Sequence, residues 1–204
     1  MMLDFTKLLQ AAISLDNQLF EKRDLLLGPT AHLQHAVLNA DQALTTLYGG
    51  QSKYSLRAGQ VKKSTEQQAE DFAHVLFWFL VVSARLKWTH LVVMTPEEYQ
   101  KLVTATPCTK LVDLDREALA IKNLFLQSYY THRQADFRHA WHLLLKMGLV
   151  DYQVNPTELM QAYDGLFAAV EDWWRRTGVT GISPFWFENK PLHLISLVLY
   201  FGCR

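Results

Sequence analysis

Histidines and acids at helical spacing are the first candidates for chemistry in this chain. Asp136, His139 and His142 form a D-x-x-H-x-x-H series, and side chains three apart on a helix share one face. His32 and His35 repeat the spacing, and His74 stands beside an apolar run. Imidazole with carboxylate suits zinc, iron or another transition metal, and helical bundles gather such ligands in their cores. His74, His139 and His142 are therefore one candidate metal set. A plainer reading competes with it. His32 and His35 share a stripe with Asn39, Gln42 and Thr46, which predicts a partly exposed polar face. His139 and His142 lie among Trp141, Leu143 and Leu144, as interface histidines do. No E-x-x-H pair of the di-iron type occurs.

A second set is acidic and basic. Glu70 and Asp71 are adjacent acids near the start of an expected helix, where the helix dipole alone favours them. Lys53, Arg57, Lys62 and Lys63 make residues 51–63 a basic loop, suited either to phosphate or simply to water. Trp173 and Trp174 could stack on a base, although aromatic residues at helical spacing usually pack in cores. Other chemistries are not encoded. The chain has no G-x-x-x-x-G-K-[ST] loop, no G-x-G-x-x-G and no G-x-S-x-G elbow. Cys108 follows Pro107 in an expected loop, and nothing nearby marks it as a nucleophile.

The elements that must position these residues are helices. Leu8, Leu9, Ala12, Ile13 and Leu19 recur at helical spacing and predict a helix over 5–22. Gly28 and Pro29 break the chain, and Leu33, Ala36, Val37, Ala40, Leu44 and Leu47 predict a second helix over 31–47. Ser64 or Thr65 caps a third, with Gln67 or Gln68 completing a capping box. This helix runs to about 87 and is apolar all round from 75 to 82, which makes it the buried centre of a bundle. Thr95-Pro96-Glu97-Glu98 starts a short helix closed by Pro107. A long helix follows over 115–147, broken near Thr131 and stopped by Gly148. Asn155-Pro156-Thr157-Glu158 opens another over 156–176, and 192–201 reads as a last helix in preference to the strand its β-branched content would also allow. The fold class is all-α: one domain, a bundle of six or seven helices.

Composition narrows the function. Half of the 204 residues are hydrophobic, and 20 basic residues balance 20 acidic ones. That supplies a core but no strongly basic surface, so no nucleic-acid partner is expected. Two distant cysteines, Cys108 and Cys203, imply no disulfide framework. The start has no secretory pattern, and the apolar run 75–82 is far below the roughly 20 residues a membrane span needs. A cytoplasmic protein with no membrane partner is the expectation.

The order of parts resembles the all-α, dimeric dUTPase family of nucleotide pyrophosphohydrolases. Leu8-Leu9-Gln10-Ala11-Ala12-Ile13-Ser14-Leu15-Asp16 looks like its opening helix. His35 to Leu44 is similar to the helix that carries E-x-x-E, and Glu70 to Leu80 to the helix that carries E-x-x-D. Tyr163 to Gly178, with Arg175 and Arg176, resembles the late helix that contacts the nucleotide. The resemblance implies a homodimer that splits dUTP or a similar nucleotide into monophosphate and pyrophosphate. Four facing carboxylates would hold Mg²⁺, which polarises the phosphoryl oxygens and activates water. On this alignment Glu70 and Asp71 are the catalytic and metal residues, Asn39 and Gln42 line the metal site, and Lys53, Tyr163 and Arg175 meet the nucleotide. The pattern is depleted, however. Asn39 and Gln42 are amides, and Ala73 stands where the last acid is expected. Asp41, Glu66 and Asp71 lie nearby, and a small register shift recruits Asp71. Weak or absent hydrolysis follows, and a non-catalytic binding or scaffold role is the alternative.

Overall fold

The computed structural model describes residues 2–22, 28–49 and 63–177. Seven α-helices lie among them: α1 (Phe5–Lys22), α2 (Pro29–Gly49), α3 (Thr65–Arg85), α4 (Pro96–Val103), α5 (Leu111–Thr131), α6 (Gln134–Lys146) and α7 (Pro156–Thr177). A 3₁₀ turn (Thr89–Leu91) follows α3, and a π-helical turn (Met147–Asp151) follows α6. No strand occurs among the described residues. The chain is thus an all-α bundle. The expected helix over 192–201 lies outside the described residues.

Local chemistry accounts for the starts. Ser64 accepts from the Gln67 amide while the Gln67 side chain accepts from Ser64, a reciprocal cap at the head of α3. Thr95 and Glu98 repeat the arrangement at α4, where Pro96 has no amide proton to waste. Residues 75–82 are buried apart from half-buried Trp78, so α3 is the central helix. It is packed by α1, α2 and α7, while α5 pairs with α6 and also reaches α2. Phe79, Phe125, Phe137 and Trp141 form the aromatic heart of the α3/α5/α6 junction.

Two breaks shape the second half of the chain. α5 ends at His132, whose φ of 55° is left-handed, and α6 turns back from there. At the far end of α6 the helix does not stop at Gly148, as its composition suggests, but widens into the π turn. At this point the backbone packs closely on α3. A Cβ on Gly148 would sit 2.1 Å from Cζ of the buried Phe72 ring, so only a bare backbone can pass there. The Tyr152 amide donates to the Met147 carbonyl at 2.9 Å, which closes the wide turn.

Candidate functional site

The residues aligned with the family's metal motif lie along α2 and α3. These helices run antiparallel, pinned at one end where Lys63 donates to the Thr46 carbonyl at 3.0 Å and also to Asp71. At the other end the His35 ring meets the Trp78 ring at 6.3 Å. Asn39 and Gln42 on α2 therefore run alongside Asp71 and His74 on α3. The polar side chains that α3 buries in this stretch are Gln68 and Asp71, three apart, whereas Glu70 is exposed. The inward pair is thus 68 and 71 rather than 70 and 73. Its position reflects the helix phase, since Gln68, Asp71, Phe72 and Val75 share the inner face.

Little metal-binding capacity remains there. Asp71 is ion-paired with Lys63 and the side chain is almost wholly enclosed. The Asn39 amide donates to the His35 carbonyl of its own helix at 2.8 Å. Gln42 is exposed, and Asp41 turns away to Lys122 at 2.6 Å. One carboxylate, already neutralised, with amides around it does not fit a magnesium ion, which needs hard anionic oxygens.

The remaining predicted residues are spread over the molecule. His74 is half-buried on α3. His139 is exposed on α6, and half-buried His142 lies one turn on. Burial first, then the Arg138 and His139 charges, hold His142 below the ordinary histidine range, against the pull of Glu98. His74, His139 and His142 do not form a metal-ligating group in the structure. Tyr163 is buried on α7, and its hydroxyl donates to the Leu8 carbonyl at 3.0 Å, so it fastens α7 to α1. Lys53 lies outside the described residues, and for Arg175 only its place on α7 is described.

His32 differs from the sequence expectation of a polar, partly exposed stripe. It is buried, stacked on Phe20 at 4.6 Å, with Nε2 2.9 Å from Asp16 Oδ1. Arg85 Nε donates to the other oxygen of Asp16 at 2.9 Å. The buried stripe of α2 is His32, Ala36, Val37, Ala40, Leu44 and Leu47. The stripe is the expected one from Ala36 onward, and only its first member differs: His32 is buried where Leu33 is half-buried, because the Asp16 carboxylate satisfies the imidazole.

A second polar centre lies where the loop before α5, α5 itself and the π turn meet. Lys146 Nζ donates to Glu117 at 3.1 and 3.2 Å, to Asp151 Oδ2 at 2.8 Å and to Cys108 Sγ at 3.4 Å. The Cys108 thiol points at Glu117 Oε2, 3.5 Å away, and its backbone amide donates to Asp151 Oδ1 at 2.5 Å. The π turn makes this possible. In an α-helix, residues five apart lie roughly 140° from each other, but here Lys146 and Asp151 meet. Among the described residues, Cys108, Glu117 and Asp151 are the one group whose ligand atoms, all within 4.8 Å of one another, could hold a metal. The Lys146 ammonium already supplies a cation at that point.

The electrostatics follow from enclosure. Burial, then the nearby Asp151, push the Glu117 carboxyl above its ordinary range. Burial also raises the Cys108 thiol. For Lys146 burial works downward, but Asp151 and Glu117 outweigh it and hold the amine charged. Next to this cluster Tyr48 donates to Asp115, and burial with that bond lifts Tyr48 to about 12. The Tyr152 hydroxyl is buried with no hydrogen-bond partner. Burial raises it, as do the charges of Tyr48, Asp151, Glu117 and Asp115 around it. One sequence signal pointed here: Glu117 falls on the apolar stripe of Ile121, Phe125 and Ser128, where an acid needs a partner.

Compared with protein-family models, with curated proteins and with solved structures, the chain matches none.

Proposed function

We propose that this chain is a dUTPase-like bundle that binds a deoxynucleotide without hydrolysing it, with the Lys63 ammonium standing where the family holds magnesium. The observation that supports this reading is the Lys63 bridge between Asp71 on α3 and the Thr46 carbonyl on α2. A fixed cation next to an amide-rich face can meet a phosphate, as lysine does elsewhere as a point charge. It cannot polarise two phosphoryl oxygens and generate hydroxide as a metal does. Asn39, Gln42 and Gln68 offer amide donors and acceptors suited to a base or sugar edge. By the same resemblance the protein is a homodimer, which sedimentation tests.

Calorimetric titration with dUTP and a panel of nucleoside mono- and triphosphates tests the reading. Binding should persist in EDTA, weaken at least about tenfold in Lys63→Met, equivalent to about 1.4 kcal/mol, and survive largely in Lys63→Arg. Binding that requires magnesium, or no binding across the panel, overturns it.

A further inference from the structure

We propose that Cys108 and Lys146 are a redox-modification site, joined by a reversible nitrogen–oxygen–sulfur bridge when the protein meets hydrogen peroxide. Sγ and Nζ lie 3.4 Å apart, close enough for one oxygen atom to span them after a small side-chain movement. Neither partner is free to swing away. Asp151 holds the amine at 2.8 Å and the Cys108 backbone at 2.5 Å. Glu117 lies within reach of both reacting groups, 3.5 Å from the thiol and 3.1 Å from the amine, and can pass the thiol proton to the departing hydroxide before taking one from the amine. Cys108 is the one cysteine among the described residues, so within them its nearest reactive partner is the amine. The buried Tyr152 hydroxyl has no hydrogen-bond partner, and the charges of Asp151 and Glu117 act on it.

The chemistry balances with two equivalents of peroxide. The first oxidises the Cys108 thiol to a sulfenic acid and leaves water. Against the pull that keeps the amine charged, Glu117, whose own carboxyl is raised by burial, takes the extra proton of Lys146, and the second peroxide oxidises that neutral amine to a hydroxylamine and leaves a second water. The hydroxylamine oxygen then attacks the sulfenic sulfur. The S–OH bond breaks, the hydroxide takes the hydroxylamine O–H proton, and a third water departs. Sulfur and nitrogen each lose two electrons, and each peroxide gains two. Excess dithiothreitol reverses the sum to thiol, amine and water.

Peptide mapping of the peroxide-treated full chain tests this. The expected product is a cross-linked peptide pair containing 108 and 146, heavier than the two peptides by one oxygen less two hydrogens. Dithiothreitol should abolish it, Cys203→Ser should leave it unchanged, and Cys108→Ser or Lys146→Arg should prevent it. Cys108 found only as sulfenic, sulfinic or sulfonic acid, with Lys146 unmodified, refutes the bridge. So does a Cys108 that stays reduced while Cys203 oxidises.

Discussion

Replacing Lys146 with Met keeps the length and most of the apolar stem but removes the cation from between two carboxylates. Glu117 and Asp151 have side chains 8% and 0% exposed, so neither can turn to water for compensation. Stripping one partner from a buried pair costs roughly 3–5 kcal/mol. The Lys146 side chain is itself 20% exposed, which places the expected loss at the low end, about 3 kcal/mol. For a chain of this length that lowers Tm by about 6–12 °C. The pH dependence gives a second, independent sign. The folded-state pKa of Glu117 is already raised, by burial and then by Asp151, and losing the ammonium raises it further. A raised carboxyl contributes stability below its unfolded pKa and loses it as pH rises through the folded value. The Lys146→Met deficit should therefore be largest near neutral pH and shrink as pH falls toward the ordinary carboxylate range of about 4.3. Urea denaturation at about pH 7 and about pH 5 measures it. A loss under about 1 kcal/mol near neutrality, or a deficit that grows in acid, refutes the reasoning.

Other substitutions probe the scaffold. Gly148→Ala puts a Cβ into the Phe72 ring and should cost about 2–3 kcal/mol by urea titration, part of it recovered in the Gly148→Ala/Phe72→Leu pair. Asp16→Asn removes the charge shared by His32 and Arg85. Because Arg85 is 30% exposed, the expected loss is about 2 kcal/mol, seen as a lower urea midpoint with an unchanged slope. Tyr163→Phe deletes one buried bond to the Leu8 carbonyl and should cost about 1 kcal/mol, read in the same assay.

How far the sequence reached depended on which interactions are local. The capped start of α3 and its all-round apolar stretch were readable because both are properties of neighbouring residues. So was the break after Thr131. Helix phase was less readable. His32 lies inside and Leu33 only half inside, because Asp16 and Arg85, distant in sequence, make a buried imidazole acceptable. The same one- or two-residue ambiguity separates exposed Glu70 from buried Gln68 and Asp71. The Cys108 cluster was least readable of all. It draws on residues from 108 to 151 and on a π turn whose Gly148 packs against Phe72, and beyond Glu117 on the buried stripe of α5 no local pattern announces it.

Under the proposed reading, Lys63 stands between α2 and α3 at the place where the dUTPase family that the chain resembles holds its metal. Pyrophosphate release from dUTP and related nucleotides, followed with magnesium or manganese in excess, tests it most directly. The account predicts turnover no higher than the protein-free background, under conditions where calorimetry shows the nucleotide bound. Metal-dependent release that EDTA abolishes and Asp71→Asn eliminates would contradict it.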